Sequence, residues 1–224
     1  MNLPFYVPPE QLMKDRAEYA RKGIARGKSI AAVAYADGIL LLAENPSGTL
    51  HKIGEVYDRI AFAGVGKYTE FEALRVAGIR HADLKGYAYA RSDVTAKGLA
   101  NAYAQVLGQI FTQEVKPYEV EIMVAEVGRE SGGDLLFRVT YDGTLFAEDH
   151  FSAIGGQEEQ LTTFLQEHFR PGAPLPEALG WAIGAFQAAN DRTFAPEDWE
   201  AAVVDRTLGR RTFRRLRAEE FLPA

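Results

Sequence analysis

Two apolar runs separated by a short break constrain the fold of this chain most strongly. Residues Ile30–Tyr35 and Ile39–Ala43 form the runs, and Ala36-Asp37-Gly38 stands between them. Asp-Gly between strands is a strong signal for a tight hairpin, in which both central residues adopt positive φ. The pattern therefore predicts an antiparallel hairpin whose turn is centred on Asp37 and Gly38.

Predicted helices and strands follow one another in groups along the rest of the chain. Apolar spacing and capping residues predict helices at Pro9–Ile24 (ended by Gly27), around Tyr68–Ile79, from a cap at Ser92 or Asp93 to Ile110, and at Glu158–Phe169 and Pro176–Ala189. Further strands are predicted at 49–53, 59–66, 118–127, 134–141, 144–149, 150–154, 199–205 and 212–216. Grouped elements favour an α+β fold with antiparallel sheets and helices outside.

No linker, composition break or internal repeat divides the chain. We therefore expect a single domain over residues 10–224, preceded by a short mobile segment at 1–9. A chain of 224 residues is long enough for one sizeable core.

Composition excludes several classes of function. The chain has no cysteine, which excludes disulfides, thiol catalysis and cysteine-bound zinc and suits a reducing cytoplasm. A net charge of −6 gives no electrostatic reason to bind nucleic acid. No apolar run approaches the roughly 20 residues that span a bilayer. The N-terminus lacks a basic region and a long apolar region, so we expect no secretory signal.

The glycine-containing stretch 63–69, AGVGKYT, imitates a phosphate-binding loop. That loop needs GxxxxGK followed by Ser or Thr, but Ala61 and Tyr68 occupy two of the required positions. The glycines are better explained as a tight turn from a strand into a helix, and we reject nucleotide binding.

Three other charged or titratable groups also have ordinary explanations. The histidines, at positions 51, 81, 150 and 168, lack metal-ligand spacing, so no metal or other cofactor is expected. Six arginines between Arg206 and Arg217 favour a solvated or subunit-facing strand over a nucleic-acid patch, since no aromatic platform accompanies them. AEDH at 147–150 is typical of a solvated strand end, and no GxSxG motif occurs.

Long segments of the chain resemble the proteasome α subunits of actinobacteria. The strings are PPEQLMKDRAEYARKGIARGKS at 8–29, LLLAENPSGTLHKIGEVYDRIAF at 40–62, LANAYAQVLGQIFTQEVKPYEVEIMVAEV at 99–127 and VTYDG at 139–143. EQLMKDRAEYA occupies the place of the RLFQVEYA-like helix of archaeal and eukaryotic α subunits, which favours the bacterial branch. The resemblance implies a four-layer αββα sandwich of the N-terminal-nucleophile hydrolase type.

The same resemblance implies a subunit without catalytic residues. A catalytic β subunit frees an N-terminal threonine whose α-amine can act as the base. Here Lys28-Ser29 stands near that place, without the threonine or the Gly-Thr cleavage junction. Ser29 has no free α-amine unless the chain is cut. The alternative is an active hydrolase that uses Ser29 after loss of residues 1–28.

Lys52 is the residue to which the resemblance assigns a binding role. LHKIGEV matches the segment that carries the activator-docking lysine, in a pocket between adjacent α subunits. A fixed ammonium suits the C-terminal carboxylate of a hexameric proteasomal ATPase. Gly64 and Gly66 resemble the opposite wall of that pocket, and a strand-to-helix turn explains them equally well. For Lys52 the plain alternative is an ordinary surface lysine.

The N-terminal residues resemble the gate that closes the entry pore. They are Asn2, Leu3, Pro4, Phe5, Tyr6, Val7, Pro8 and Pro9. A disordered tail would have the same sequence character. The implied partners are β subunits, further α subunits in an α7β7β7α7 particle, the ATPase tails, and unfolded proteins or proteins tagged with a small ubiquitin-like modifier. Neither a membrane nor a nucleic acid is among them.

Overall fold

Two antiparallel sheets and five helices make up the molecule in a computed structural model that describes residues 8–221. The strands are β1 (Ile30–Tyr35), β2 (Gly38–Glu44), β3 (Ile53–Tyr57), β4 (Ile60–Gly66), β5 (Val120–Glu126), β6 (Leu135–Val139), β7 (Leu145–Glu148), β8 (Phe151–Ile154), β9 (Trp199–Asp205) and β10 (Phe213–Arg215). The helices are α1 (Pro9–Ala25), α2 (Tyr68–Ala88), α3 (Ala96–Gln113), α4 (Glu158–His168) and α5 (Leu175–Asn190).

Each sheet has five strands, and all neighbouring strands are antiparallel. The first sheet has the order β10-β9-β2-β1-β8, and the second has the order β3-β4-β5-β6-β7. The predicted hairpin is the β1–β2 pair, in which Ile30 lies opposite Ala43. The second sheet is a simple meander, so its neighbours in space are also neighbours in sequence.

Apolar packing arranges these elements in four layers. The inner faces of the two sheets meet in one cluster, which includes Leu41, Ala63 and Met123. The outer face of the first sheet packs against α4 and α5, and the outer face of the second packs against α2 and α3. The molecule is therefore an αββα sandwich, which confirms the predicted fold. Sheets covered on both faces explain why β2 is buried along its whole length.

The turn of the β1–β2 hairpin differs from the prediction by one residue. Tyr35 pairs with Gly38, so Ala36 and Asp37 are the central residues, and neither has a positive φ. Placing Asp37-Gly38 at the centre was wrong. Gly38 is instead the first residue of β2, where a Cβ atom would lie 1.9 Å from the carbonyl oxygen of Val204. The close approach of β9 is the reason for glycine here.

Helix α3 begins later than predicted. Thr95 is its cap, and the Oγ1 atom of Thr95 accepts a hydrogen bond of 3.1 Å from the backbone N–H of Gly98. Ser92 and Asp93, the predicted caps, lie in a separate 3₁₀ turn at Arg91–Asp93. Like Ser or Asp, a threonine side chain can satisfy one of the free N–H groups at a helix start.

The strand predicted at 49–53 is almost entirely an irregular segment, because β3 begins only at Ile53. In this part of the chain, side-chain oxygens accept the backbone hydrogen bonds that a neighbouring strand would otherwise accept. The Oδ1 atom of Asn45 accepts a hydrogen bond from the N–H of Ser47 at 3.2 Å, and the Oγ atom of Ser47 accepts one from the N–H of Leu50 at 3.0 Å. Such local bonds offer the backbone an alternative to strand pairing.

Helix α1 precedes the first strand and packs against the second sheet. It begins at Pro9, as predicted, because a proline is tolerated where the N–H would be unpaired. Ala20 and Ile24 are buried in the cluster between the sheets. The Nη1 atom of Arg16 donates a hydrogen bond to the carbonyl of Phe111 at 2.6 Å. The helix is therefore an integral part of the folded chain.

Candidate functional site

Lys52 lies at the end of the irregular segment 45–52, immediately before β3. Its side chain is half-buried, and its Nζ atom donates a hydrogen bond of 2.7 Å to the carbonyl oxygen of Lys28. Its own carbonyl accepts a hydrogen bond of 3.0 Å from the N–H of Gly64. The fold thus places Lys52 beside the chain entering β1 and beside one of the two predicted pocket glycines.

Gly64 and Gly66 both have structural reasons to be glycine. A Cβ atom on Gly64 would lie 2.8 Å from the Cβ of Phe71. Gly66 has a φ of 108°, and a Cβ there would lie 1.8 Å from the carbonyl oxygen of Glu119. The strand-to-helix turn predicted for this stretch is confirmed, since β4 ends at Gly66 and α2 begins at Tyr68.

Burial and charge act in opposite directions on Lys52. Burial lowers the pKa of Lys52 to about 8, while the carboxylates of Glu200 and Glu44 favour its charged form and the ammonium of Lys28 disfavours it. Because this pKa still lies above 7, the protonated form of Lys52 predominates at pH 7. The site therefore holds a cation whose charge depends on pH just above neutrality.

Two buried carboxylates near Lys52 escaped the sequence analysis. Glu44 is 3% exposed at the end of β2, where Lys28 approaches it at 2.8 Å and Arg192 forms a second ion pair. Glu200 is 7% exposed on β9 and accepts a hydrogen bond from the backbone N–H of Lys52. The available signal was an acid inside or ending an otherwise apolar strand, since such an acid needs buried partners.

Ser29, the alternative nucleophile, is 2% exposed just before β1. Its Oγ atom accepts a hydrogen bond of 3.1 Å from the backbone N–H of Gln157. A Cβ atom on Gly155 would lie 2.9 Å from the Cα of Ser29, so the chain after β8 covers this residue closely. In the intact chain the nitrogen of Ser29 belongs to the peptide bond with Lys28 and is not a free amine.

The predicted gate falls largely outside the described residues. Residues 2–7 lie outside the range that the structure describes, and only Pro8 and Pro9 of the predicted gate lie within it. Pro8 is exposed and precedes α1, whereas Pro9 is the first residue of the helix. Any gate segment would therefore end at Pro8.

The arginine-rich stretch 206–217 is mostly occupied with ion pairs. Arg206 binds Asp134 at 2.8 Å and Arg215 binds Glu200 at 2.7 Å. Within residues 8–221, no group of three or more His, Cys, Asp or Glu side chains could hold a metal ion. None of the helices described here is both long and apolar enough to cross a lipid bilayer.

The architecture defines the class: a layered α+β sandwich of two antiparallel five-stranded sheets between pairs of helices. A family model described as proteasome subunit matches residues 24–204. The chain belongs to the proteasome subunit family, and its relatives place it with the α subunits of the actinobacterial type.

Three relatives named proteasome subunit alpha illustrate this membership. The protein of Kineococcus radiotolerans is 58% identical, and the match covers 96% of this chain and 94% of the relative. That of Acidothermus cellulolyticus is also 58% identical, with the same two coverages. The protein of Geodermatophilus obscurus is 53% identical over 100% of this chain and 81% of its own length.

Proposed function

We propose that this chain is a non-catalytic α-ring subunit of a 20S proteasome core particle, which supports the β rings, gates substrate entry and docks a hexameric ATPase. The observation that carries the docking role is the placement of Lys52. A half-buried cation at the end of an irregular segment, next to a glycine-rich strand, suits an incoming chain-terminal carboxylate.

The surroundings of Ser29 support the absence of catalysis. A serine nucleophile of this type needs a neighbouring base, such as a free α-amine. In this chain the serine nitrogen is in a peptide bond and its hydroxyl is buried against the N–H of Gln157. The rival function, a hydrolase active after loss of residues 1–28, would require removal of α1. The burial of Ala20 and Ile24 in the core opposes such removal.

The partners follow from family membership and from the resemblance of residues 2–8 to a gate. We infer an assembly of seven such chains with β subunits in an α7β7β7α7 particle, acting in the cytoplasm on unfolded or tagged proteins. Residues 2–8 would converge at the ring axis and restrict the pore. The pocket around Lys52 would be completed by the adjacent α subunit, with Gly64 and Gly66 on the opposite wall.

The test of docking is the substitution Lys52→Ala in the assembled particle. A charge-assisted hydrogen bond contributes on the order of 1.5–3 kcal/mol, so each pocket should lose at least about tenfold in affinity. Several pockets engaged together would multiply the loss for a whole ATPase ring. The measurement is binding of a synthetic peptide with the ATPase C-terminal sequence, with a free carboxylate or a C-terminal amide.

Lys97→Ala is the matched control, because Lys97 is exposed on α3. This variant should bind the peptide like the wild type, and both variants should assemble and cleave small peptides normally. Lys52→Arg keeps the charge but misplaces it, so we expect intermediate binding. Equal affinity of the wild type and Lys52→Ala for the free-carboxylate peptide would remove Lys52 from the docking site.

A further inference from the structure

Glu200 is a buried acid that holds the irregular segment leading to Lys52. It lies on β9, one residue after the start of that strand, and its side chain is 7% exposed. The segment 45–52 runs past it without forming a strand of its own. The Glu200 carboxylate therefore lies beside a backbone segment that belongs to neither sheet.

Both oxygens of Glu200 bind the backbone at the end of the segment. Oε2 accepts a hydrogen bond from the N–H of Lys52 at 2.8 Å. Oε1 accepts one from the N–H of Ile53 at 3.1 Å. Two consecutive N–H groups are thus fixed by a residue 148 and 147 positions away in the sequence. These contacts set the position of the Lys52 backbone directly.

Side chains complete the shell around the same carboxylate. The Nδ2 atom of Asn45 donates to Oε2 of Glu200 at 2.7 Å and to the carbonyl of Leu50 at 2.8 Å, so it joins both ends of the segment. Arg215 on β10 approaches Oε1 at 2.7 Å, and the Nδ1 atom of His51 lies 3.3 Å from the same oxygen. A buried carboxylate is costly without such partners.

Removing the carboxylate would therefore affect the segment more than the sheet. The N–H groups of Lys52 and Ile53 would lose their acceptor, and a buried unpaired donor is more costly than a lost exposed bond. β9 itself would keep its backbone ladder to β2, in which Glu200 pairs with Ala43. The expected consequence is a mobile segment on an intact fold.

We propose that Glu200 is a positioning residue for activator docking, which fixes the backbone of Lys52 so that its ammonium faces the partner's carboxylate. This inference rests on the proposed docking function of Lys52. Glu200 also supports the charge of that ammonium, together with Glu44 and against Lys28. The other charged or titratable groups at these two carboxylates are His51, Arg215 and Arg192.

The experiment compares Glu200→Gln with Glu197→Gln in assembled particles. Glu197 is exposed and lines the same surface cavity of about 360 Å³ as Glu200, so it controls for loss of one nearby acid. The probe is the free-carboxylate peptide used for Lys52→Ala. Glu200→Gln should weaken binding about tenfold or more, because an amide cannot accept from all the donors around Glu200. Glu197→Gln should bind as the wild type does.

The pH profile separates positioning from general loss of stability. Loss of the Glu200 charge should lower the pKa of Lys52 further, so the pH at which peptide binding halves should move below that of the wild type. Glu200→Asp keeps the charge but withdraws the oxygens, so its pH midpoint should lie closer to the wild type while its affinity stays reduced. Unfolding of Glu200→Gln alone would not move this midpoint in assembled particles.

Amide hydrogen exchange at Lys52 and Ile53 provides a readout that does not depend on docking. Glu200→Gln should speed exchange at one or both amides, because glutamine keeps only one of the two acceptor oxygens, and should leave the amides of β2 protected. Unchanged exchange at both amides, or wild-type affinity with an unchanged pH midpoint, would overturn the role of Glu200 even if Lys52→Ala abolishes binding. Normal binding by Lys52→Ala would instead overturn the docking function itself, and this role with it.

Asn45→Ala provides a second variant if Glu200→Gln does not assemble. This substitution removes the hydrogen bond from Asn45 to Glu200, and it leaves the carboxylate and its two backbone partners in place. We expect faster exchange at Ser47, whose N–H loses the Oδ1 acceptor of Asn45, and a loss of a few fold in peptide affinity. Unchanged exchange and unchanged affinity in this variant would count against the proposed positioning.

Discussion

The ammonium of Lys52 binds one carbonyl acceptor and is influenced electrostatically by two buried acids. Its Nζ atom binds the carbonyl of Lys28 at 2.7 Å, and Glu44 and Glu200 favour the charged form. Burial works against that charge and prevails, since the pKa of Lys52 falls to about 8 rather than rising. The residue is thus a cation at neutral pH that becomes neutral under mildly alkaline conditions.

This balance predicts a pH dependence of docking. Peptide affinity should be constant below about pH 7 and should fall by up to tenfold for each unit above pH 8, because only protonated Lys52 attracts the carboxylate. A lysine with an ordinary pKa would retain its affinity until about pH 10. Fluorescence anisotropy of a labelled peptide from pH 6 to 9.5 would measure the profile. Lys52→Arg should give a flat profile, and a flat wild-type profile would contradict the shifted pKa.

Gly66 is the second residue at which local geometry leads to a prediction. Gly66→Ala should lower the free energy of unfolding by on the order of 3 kcal/mol, because φ is 108° and the new Cβ would meet the Glu119 carbonyl at 1.8 Å. Gly180→Ala is the control, since Gly180 lies in α5 with open space around it, and a small stabilisation is expected. Urea unfolding of the two variants would decide, and a neutral Gly66→Ala would contradict the backbone argument.

At the scale of elements, two segments outside the sheets lie next to the first strands: the irregular segment 45–52 and helix α1. The segment 45–52 is held by side chains, above all by Glu200, and brings Lys52 to the start of β3. Helix α1 is held by burial of Ala20 and Ile24. Both pieces are fixed by contacts with distant parts of the chain.

The chain ahead of α1 leads to a prediction about substrate entry. Deletion of residues 2–8 should speed cleavage of longer peptides by the assembled particle, because an apolar, proline-bearing segment would no longer restrict the pore. The deletion leaves α1 complete, since the helix begins at Pro9. Cleavage of a very small peptide is the control and should change much less. An equal gain for both peptides, or none, would show that the segment is not a gate.

At the scale of the whole molecule, the first strand lies inside the sandwich. β1 lies between β2 and β8, and its strand residues are almost entirely buried. Ser29, immediately before it, is covered by the chain around Gly155 and Gln157. Under the proposed function, this sandwich would serve as a framework for assembly.

We expect the purified chain to hydrolyse no peptide, and Ser29→Ala to leave peptide cleavage by the assembled particle unchanged. The reason is that Ser29 is buried and has no free α-amine. A threonine-reactive covalent label, followed by intact mass measurement, should modify β subunits and not this chain. Labelling of this chain, or loss of residues 1–28 on assembly, would favour the active-hydrolase alternative.

Much of the fold was predictable because its signals are local. Apolar runs, helical spacing and capping residues depend on neighbours in sequence, so β1, β2, β9 and helices α1, α4 and α5 were found close to their true bounds, whereas α2 continues past the predicted Ile79 to Ala88 and α3 begins after its predicted cap. The resemblance of long strings to α subunits indicated the layer order. A second Asp-Gly pair, Asp142-Gly143, also marks a turn between strands by local chemistry, and Gly143 has a positive φ of 84°.

The remaining features depend on which distant segments meet. Gly38 resembled a turn residue, but the backbone of β9 at Val204 is what excludes a side chain there. The segment 49–53 had a strand-like sequence, but Glu200 and Asn45 satisfy its backbone instead of a neighbouring strand. Residue spacing carries no information on these partners, because sheet pairing brings them together only after the chain has folded. The sequence therefore determined the elements and the family, while sheet pairing determined the surroundings of Lys52.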